Sequence, residues 1–525
     1  IQEADFVGVH LFELMDLFDV LAKLKVGGTF LLNTLYSKDE VWNKLPKRAQ
    51  KQIIEKKLSF YVIDAAKVAS DTGMGARINT IMQTCFFAIS GILPKEEAIE
   101  KIKGAIHKTY ISKGEAVVEK NYNAVDQSLA HLYEVDYGTE VTSEITISAP
   151  IPDAAPDFVK NTLGMIIAGN GDDVPVSQMP ADGTYPTATA KWEKRNVGLE
   201  VPVWESDLCI QCNKCTFACP HAAIRAKQID PKQLENAPEG FVTLKSSTKN
   251  DRDLRFKIQI YTEDCQGCGV CIETCPTKVK SLEFSPINVE RENGETANAE
   301  FFDSLADDVI DGIGLNTVKG MQFKKPLFEF SGACAGCGET PYVKLVSQIC
   351  GERMLAANAT GCSSIYGGTF PTTPYAQRRD GRGPAWGNSL FEDNAEYGLG
   401  MRLAVDSNRR LLKSTVNKLL AAGTTDALTD ALKKNTELWN DRSEAGIDAQ
   451  KVTQELLEDA YEKASSDEVK ATIKKLIELK DYLTDKDVWI IGGDGWAYDN
   501  SFGGVDHVIA SGKNVNILVL DTEVY

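Results

Sequence analysis

The chain has 525 residues, of which 43% are hydrophobic and 25% are charged. This composition is ordinary for globular protein and excludes a wholly disordered or fibrous chain, and the length suggests about three or four domains. Acidic residues outnumber basic residues by 75 to 57, which gives a net charge of −18. A nucleic-acid-binding protein would normally carry a basic face, so the charge disfavours that class.

The cysteines and the two ends of the chain further restrict the class of protein to which the sequence can belong. The thirteen cysteines are odd in number and most lie in tight runs, which favours metal binding in a reducing compartment over disulfides. No secretory signal and no apolar stretch of about 18 residues is visible, so we expect a cytoplasmic protein without a membrane anchor. The chain begins at Ile1 inside a strand-like run and stops at Tyr525 soon after another, so we expect the middle of a longer polypeptide.

The first part of the chain alternates short apolar runs with amphipathic stretches. This order predicts βαβ units with a parallel sheet. The predicted strands are residues 6–10, 29–33 and 60–64, and the predicted helices are residues 13–24, 38–56 and 77–92. The glycine-containing run at residues 71–79 then opens a helix, where a phosphate could bind, although an ordinary turn is the commoner explanation of such a loop.

The middle and the last part of the chain differ in composition. Residues 143–198 contain six prolines and several glycines, which predicts a long connector that wraps over a neighbouring domain. Further along, periodic stretches predict helices at residues 395–422, 424–439 and 449–483. Apolar runs predict strands at residues 488–491 and 515–521, on either side of a glycine-rich loop.

Two cysteine runs with identical spacing are the most specific signal. In each run three cysteines two residues apart surround one corner of an iron–sulfur cube, and the fourth, followed by proline, ligates the other cube. One 4Fe–4S cluster is therefore expected on Cys209, Cys212, Cys215 and Cys275, and the second on Cys265, Cys268, Cys271 and Cys219. Zinc is the alternative, but zinc sites usually show paired Cys-x2-Cys units. The residues between the runs exceed the needs of a minimal ferredoxin, and an insertion at residues 229–255 accounts for them.

A third cysteine group lies in glycine-rich surroundings. Cys334 and Cys337 are two residues apart, and Cys362 follows in a second short glycine-containing run. Three cysteines suit a further cluster but lack a fourth ligand, so the residues alone leave a third cluster open. Cys350 and Cys85 lie in apolar runs, which indicates core packing for both.

A strand followed by Gly492-Gly493-Asp494-Gly495-Trp496 suggests a bound diphosphate. A second strand ends at Asp521-Thr522 some twenty-five residues later. The Asp494 carboxylate and the Thr522 hydroxyl are oxygen ligands of the kind that Mg²⁺ takes beside phosphate. A plain β-turn is the alternative for the glycine loop.

Together these motifs resemble the pyruvate:ferredoxin (flavodoxin) oxidoreductases, the single-chain type of the 2-oxoacid:ferredoxin oxidoreductases, over nearly the whole chain. The resemblance implies a multidomain α/β protein. Its parts would be a parallel-sheet CoA-type domain at 1–142, a Pro/Gly-rich linker at 143–198, a ferredoxin-like α+β domain with two 4Fe–4S clusters at 199–320, and a thiamine diphosphate-binding α/β domain at 321–525. Both outer domains are expected to be truncated.

The resemblance also implies the reaction. Pyruvate is decarboxylated with thiamine diphosphate as the electron sink, and coenzyme A takes the acetyl group. The electrons pass singly through a thiamine-proximal cluster and the two ferredoxin-type clusters to ferredoxin or flavodoxin. The full-length protein is expected to be a homodimer.

By the same resemblance, residue roles carry over motif by motif. Cys334, Cys337 and Cys362 look like three ligands of the proximal cluster, and Asp494, Thr522 and the Val524 carbonyl look like Mg²⁺ ligands. The expected cofactor contacts are Glu339, Cys362, Gly493, Asp494, Gly495, Trp496, Thr522, Glu523, Val524 and Tyr525, with Asn79 as a CoA contact. The fourth ligand of the proximal cluster, the glutamate that activates the thiamine ring and the pyruvate-binding groups lie, in the family, outside this chain. No catalytic residue is therefore assigned here.

Several alternatives stay open from the sequence. Another 2-oxoacid could be the substrate, or the chain could be a non-catalytic electron-transfer module with a vestigial thiamine loop. The helical stretch expected at residues 388–400 falls where the family lines the cofactor pocket. Basic residues near the cysteine runs are candidates for an acceptor-docking patch, although ordinary surface charge explains them as well: Lys214, Arg225, Lys227, Lys278 and Lys280.

The missing groups generate the first prediction. We expect the purified 525-residue chain to show no pyruvate oxidation, because the pyruvate-binding groups and the activating glutamate of the family are not in it. Anaerobic assay of pyruvate-dependent dye reduction measures this, and turnover by the 525-residue chain would contradict it.

Overall fold

The computed structural model describes residues 3–75, 77–146, 151–249, 252–368 and 371–523. The chain forms two compact units, Ile1–Gln178 and Met179–Tyr525. In the described ranges, none of the helices combines the length and the apolar character needed to cross a bilayer.

The first unit is built on a four-stranded sheet in the order β1-β2-β3-β4, in which the first three strands are parallel and β4 is antiparallel to β3. The strands are β1 (Ala4–Val9), β2 (Leu24–Asn33), β3 (Ser59–Ile63) and β4 (Tyr133–Glu134). Successive residues of β2 point to opposite faces, so Phe30 and Leu32 enter one core while Leu31 enters another. Because both faces are buried, the strands read as continuous apolar runs, and the predicted parallel sheet is confirmed.

Helices cover the sheet of the first unit, and two of the predicted ones are shorter than expected. The helices are α1 (Leu14–Leu17), α2 (Lys47–Lys56), α3 (Ala65–Asp71), α4 (Asn79–Ile89), α5 (Lys95–Tyr110), α6 (Glu115–Ala130) and α7 (Gly164–Ile167). The prediction of a helix at 13–24 was wrong beyond Leu17, because Phe18 is extended and β2 already begins at Leu24. The predicted helix at 38–56 is interrupted at Pro46, which has no N–H to donate, so α2 starts only at Lys47.

The second unit begins with the segment that carries the two cysteine runs. Its strands are β5 (Glu200–Trp204), β6 (Ile224–Ile229), β7 (Leu244–Lys245), β8 (Arg255–Ile260) and β9 (Leu282–Pro286). The strands pair antiparallel as β5-β9 and as β6-β8-β7. Residues 230–254 connect β6 to β8, which is where the sequence predicts an insertion. A short helix contains the third cysteine of each run. The helices of this segment are α8 (Lys214–Ala218), α9 (Val270–Thr274), α10 (Ile287–Glu292), α11 (Glu295–Ser304) and α12 (Val318–Met321).

The rest of the second unit is a parallel sheet with a helical insertion. All four strands are parallel, in the order β11-β10-β12-β13: β10 (Met354–Ala359), β11 (Ala385–Ser389), β12 (Asp487–Gly493) and β13 (Asn516–Leu520). The helices are α13 (Thr340–Cys350), α14 (Cys362–Gly367), α15 (Asn394–Ala422), α16 (Asp426–Glu437), α17 (Glu444–Glu462), α18 (Asp467–Leu479) and α19 (Phe502–Ala510). The single helix predicted at 449–483 is two helices, because the Ser466 side chain accepts a hydrogen bond from the Val469 N–H and caps a new helix start.

The end of the connector packs within this second unit. The Tyr185 hydroxyl donates to the Pro371 carbonyl at 3.0 Å, and Lys194 forms an ion pair with the buried Asp264 at 2.6 Å. Residues 185–194 therefore touch both the parallel-sheet part and the cysteine-rich part. These contacts agree with the predicted course of the connector, whose wrapping over a neighbouring domain stays a prediction.

A buried charge network fixes the helical insertion to the sheet. Asp485 accepts from Arg402 at 3.0 Å and from Arg442 at 2.8 Å, and Arg409 lies 3.7 Å away. Asp487, the first residue of β12, is bound by Arg442 at 2.8 Å. Burial alone would raise the pKa of the Asp485 carboxyl, but the hydrogen bond from Arg442 and the charges of Arg402 and Arg409 outweigh it and lower the pKa.

We predict that Asp485→Asn destabilises this part of the protein by about 3 kcal/mol, because it removes the carboxylate that Arg402, Arg409 and Arg442 share and leaves the buried Arg409 without an ion pair among the described residues. Since the folded pKa lies below the ordinary value of 3.8, the carboxylate stabilises the fold above that pH and loses this effect as the pH falls below it. Thermal unfolding between about pH 3 and 7 measures both effects. The control is Glu468→Gln, which removes the exposed Lys418–Glu468 pair and should cost under about 1 kcal/mol. Equal effects of the two substitutions would contradict the prediction.

Candidate functional site

The structure brings the thiols of the two cysteine runs together in two interleaved sets. The neighbours that act on the Cys215 thiol include Cys209 and Cys212 of its own run and Cys275 of the other run. The neighbours of Cys271 likewise include Cys219 from the first run. Each cysteine that precedes a proline therefore lies with the other run, as two cubes that share their fourth ligands would require.

Most of these thiols are buried without a counter-charge of their own. Burial raises the pKa of Cys215 and Cys271, and it raises the pKa of Cys265 to about 12. The neighbouring thiols raise these values further, since each disfavours negative charge on the next. Such a set becomes favourable when a bound metal group supplies positive charge to the thiolates, so the donor chemistry fits iron–sulfur clusters. In the described part of the chain, no three or more His, Cys, Asp or Glu side chains converge on the position of a single ion.

Cys275 differs from these three buried thiols. Burial raises its pKa, but hydrogen bonds from the Ser281 and Thr277 hydroxyls outweigh burial and lower the pKa to about 7. The two oxygens lie 3.3 Å and 3.1 Å from the Cys275 sulfur. Hydroxyl donors of this kind stabilise negative charge on a cluster sulfur.

The loops between the cysteines need left-handed backbone at matching positions. In the second run Gly267 and Gly269 supply it, with φ of 64° and 77°. In the first run the same positions are Gln211 and Asn213, at φ of 56° and 59°. Their side chains offset the strain by donating to backbone carbonyls, Gln211 to Lys245 at 2.8 Å and Asn213 to Lys319 at 2.9 Å.

The third cysteine group lines a cavity of about 820 Å³. Cys334, Cys337 and Cys362 all contribute to its wall. Burial raises the pKa of Cys362, and the nearby Glu339, Cys334 and Cys337 raise it further. Glu339 and Thr522 line the same cavity, as do Asp521 and the apolar end of β13. The structure thus joins the predicted proximal-cluster ligands and predicted thiamine contacts in one place.

This third group adjoins the ferredoxin-type segment directly. A Cβ atom placed on Gly336, between Cys334 and Cys337, would lie 3.8 Å from the Cβ of Cys268. The backbone of the third motif therefore lies against a cysteine of the second run. His221, two residues after Cys219, also reaches this region, with Nδ1 3.3 Å from the Ser331 carbonyl oxygen.

The cavity lies at the carboxyl edge of the parallel sheet. The chain passes from β10 to β11 on one side and then returns to β12 on the other, so the strand order reverses between β10 and β12. Ligands of open parallel sheets bind at the carboxyl ends of the strands at such a switch point. Cys362 follows β10 and Asp494 follows β12, while Thr522 follows β13.

Glu339 carries an unsatisfied atom that faces this region. Burial raises the pKa of its carboxyl, and the nearby negative charge of Asp494 acts in the same direction. Its buried Oε2 and the buried Tyr366 hydroxyl both have no hydrogen-bond partner by distance and angle among the described residues, although Tyr366 lies close enough to oppose the rise of the Glu339 pKa. A polar ligand in the cavity would satisfy the carboxyl, so the residues present fit a group such as the ring of thiamine.

Glycine is needed at the end of β12 for a steric reason. Trp496 is fully buried, and a Cβ atom on Gly492 would clash with its indole ring. Gly493 ends β12 and Asp494 enters a helical turn at once, so the loop is a strand-to-helix junction and the β-turn reading was wrong. Glu523 is exposed, with its N–H donating to Asp521 at 2.9 Å, while Val524 and Tyr525 lie outside the described residues.

The structure contradicts two other predictions and confirms a third. Residues 388–393 are strand end and loop, and the helix starts only at Asn394. Arg225 and Lys227 are buried and cannot form a docking patch; Arg225 pairs with Glu329 at 2.5 Å. Cys85 and Cys350 are buried in cores, as predicted.

Asn79 lies in the first unit. It is exposed at the start of α4 and lines a depression of about 470 Å³ with His10 and Phe86. Ala76, in the glycine-containing run before it, lies outside the described residues.

Sequence reasoning missed Lys344, Ser281 and Thr277, all of which contact the cysteine sets. The hydroxyls of Thr277 and Ser281 follow Cys275 closely and could have been noticed as donors. Lys344 had one signal, that it is the single charged residue of its helix, and nothing in the sequence says what its ammonium contacts.

Comparisons with known proteins agree with this geometry. Residues 1–130 match the family described as pyruvate ferredoxin/flavodoxin oxidoreductase, residues 208–279 match the 4Fe-4S dicluster domain, and residues 145–198 match a domain of unknown function. The whole chain aligns with the putative pyruvate-flavodoxin oxidoreductase of Synechocystis at 50% identity, and with the probable pyruvate-flavodoxin oxidoreductase of Escherichia coli at 45%. It aligns with the pyruvate:ferredoxin oxidoreductase of Moorella thermoacetica at 46%.

The chain belongs to the pyruvate-flavodoxin oxidoreductase family. Each alignment covers 100% of this chain but 44% of the relative, so the chain spans less than half the length of these family members. A crystal structure of the pyruvate oxidoreductase subunit PORC from Thermotoga maritima matches 26% of this chain and 67% of its own, at 19% identity. Its TM-score of 0.20 is too low to support an argument.

The packing of Gly492 against Trp496 gives a prediction for this family member. We expect Gly492→Ala to destabilise the second unit by about 1–3 kcal/mol, because the added methyl group overpacks a filled site beneath the Asp494 loop. The midpoint of thermal unfolding measures this. Gly503→Ala is the control, since a Cβ atom there meets open space, and it should leave the midpoint unchanged or raise it. A Gly492→Ala protein as stable as the control would contradict the prediction.

Proposed function

We propose that the protein containing this chain oxidatively decarboxylates pyruvate to acetyl-CoA and CO2, and passes the electrons through three 4Fe–4S clusters to ferredoxin or flavodoxin. One observation carries the proposal: the three cysteine sets lie next to one another. Cys268 of the second run lies against Gly336 of the third motif, and Cys215 of the first run acts on Cys271 of the second. Such neighbouring sets suit the stepwise transfer of single electrons.

The proposed ligands follow the interleaved sets. One cluster takes Cys209, Cys212, Cys215 and Cys275, and the next takes Cys265, Cys268, Cys271 and Cys219. The proximal cluster takes Cys334, Cys337 and Cys362. The Ser281 and Thr277 hydroxyls donate to the Cys275 sulfur and would stabilise the reduced form of the first of these clusters.

The cavity at the carboxyl edge of the sheet is the proposed site of thiamine diphosphate, which when bound supplies an electron sink for decarboxylation. Asp494 and Thr522 offer oxygen ligands for Mg²⁺ at the ends of adjacent strands, and the Val524 carbonyl is a proposed third ligand. Glu339 holds an unsatisfied carboxyl toward the cavity, where its raised pKa favours a shared or donated proton. Gly493, Gly495, Trp496, Glu523 and Tyr525 complete the proposed cofactor contacts.

The remaining assignments are also proposals. Asn79, exposed at the start of α4, is the proposed contact for coenzyme A in the first unit. The domain division at 1–142, 143–198, 199–320 and 321–525 is supported by matched family ranges at 1–130, 145–198 and 208–279, each of which lies inside one proposed part. Resemblance to the family supports a homodimer of the full-length protein.

The proposal is tested on the protein that contains this chain, purified without oxygen. Twelve irons and twelve acid-labile sulfides per chain are expected for three cubes, and eight would remove the proximal cluster. Pyruvate should reduce the clusters only when the thiamine cofactor is bound, and formation of acetyl-CoA should also require coenzyme A. Zinc in place of iron would overturn the electron-transfer reading.

Thiamine diphosphate binding separates the enzyme from a non-catalytic electron-transfer module. We predict that Asp494→Asn weakens Mg²⁺-dependent binding at least about tenfold, because a neutral amide is a poorer ligand for a hard cation. Asp506→Asn, an exposed position on the nearby α19, is the control and should bind as the unaltered protein does. Isothermal titration calorimetry with thiamine diphosphate and Mg²⁺ gives the affinities. Unchanged binding by Asp494→Asn would show that the site is assigned wrongly.

A further inference from the structure

The two cysteine runs are halves of a duplicated segment. In both halves a lysine donates hydrogen bonds to the carbonyl groups at the end of the short helix. Each short helix, α8 and α9, ends just before the cysteine that precedes a proline. By position in the two runs, Cys219 corresponds to Cys275 and Phe217 corresponds to Glu273. The carbonyl groups at these equivalent positions each accept a hydrogen bond from a lysine.

In the second half the lysine is local. The Lys280 ammonium donates to the Glu273 carbonyl at 3.1 Å and to the Cys275 carbonyl at 2.7 Å. Lys280 follows Cys275 closely in sequence and is half-exposed, so water screens its charge.

In the first half the lysine comes from far along the chain. The residue equivalent to Lys280 is Ile224, an apolar residue buried in β6. Its place is taken by Lys344 of α13, whose ammonium donates to the Phe217 carbonyl at 2.9 Å, to the Cys219 carbonyl at 3.1 Å and to the Thr216 carbonyl. The same three carbonyls belong to the last turn of α8 and the cluster ligand that follows it.

Lys344 is a deeply buried charge. It is 1% exposed, and in the described part of the chain its ammonium donates to backbone carbonyls and not to a carboxylate. Three acceptors match the three N–H bonds of an ammonium, whereas a neutral amine has two. Burial lowers the pKa of the Lys344 ammonium to about 8, while Cys219 and, to a smaller extent, Cys215 act to raise it. A cation in such surroundings interacts strongly with nearby charge, because little solvent screens it.

We propose that Lys344 is a positioning residue that makes the two ferredoxin-type clusters unequal: it holds the end of α8 and places a buried positive charge beside Cys219, so that the cluster bound by Cys219, Cys265, Cys268 and Cys271 gains an electron more readily. This cluster is also the one whose Cys268 lies against the third motif. The buried charge thus favours the arrival of an electron at the cluster that adjoins the third motif. The inference rests on the proposed function only in requiring that the clusters be bound.

The test uses the anaerobically purified holoprotein and a redox titration followed by EPR spectroscopy. Lys344→Met removes the charge with little change of volume and should lower the midpoint potential of one ferredoxin-type cluster. Lys344→Arg keeps the charge and should restore a potential close to that of the unaltered protein. Lys280→Met is the matched control, because it removes the equivalent but solvent-screened lysine, and it should shift the potential of its cluster less.

Iron and sulfide counts are taken for each variant before the titration. If the unaltered protein contains no clusters, the proposed function itself is overturned. If Lys344→Met contains its clusters and their potentials are unchanged, only this inference is overturned. Lys344→Gln, which is neutral but can still donate to two carbonyls, guards against poor folding of the methionine variant and should also lower the potential. Equal shifts in Lys344→Met and Lys280→Met, or a full shift in Lys344→Arg, would show that burial of the charge is not the cause.

Discussion

The exchange of one cysteine between the two runs is the constraint on which the second unit depends. Cys219 and Cys275 each follow a short helix and lie with the thiols of the opposite run. For this to occur, α8 and α9 must pack side by side, and the pairs β6-β8 and β5-β9 must close around them. Neither run can therefore reach its arrangement without the other, so folding of the two halves is coupled.

The same segment is tied to the parallel sheet by buried polar contacts. The N–H of Phe330 donates to the His221 carbonyl at 2.9 Å, directly beyond Cys219 and its proline. Arg225 of β6 pairs with Glu329 at 2.5 Å, and Lys344 reaches back to α8. Removing one partner of a buried pair typically costs about 3–5 kcal/mol, so these contacts hold the third cysteine motif in a fixed place relative to the other two.

Local sequence pattern predicted much of the fold. The parallel strands were found because strands buried on both faces are continuous runs of apolar residues, as at Phe30–Leu32 in β2. Helix ends were found less well. Residues 18–24 are apolar enough for a helix, but the extended backbone at Phe18 and the pairing of β2 with β1 decide otherwise. At Ser466 a side-chain cap divides a stretch whose periodicity continues through it.

For the candidate site too, the sequence predicted some features and only the structure revealed the others. Cysteine spacing by itself predicted the two quartets, since ligand geometry around a cube demands cysteines separated by two residues and a fourth before proline. It also pointed to Asp494 and Thr522, because strand ends followed by glycine and oxygen ligands form a local pattern. Only the tertiary structure decided that Gly336 lies against Cys268, that Arg225 is buried, and that the charge beside Cys219 comes from Lys344. Burial and charge pairing depend on which distant segments meet, and no local pattern records that.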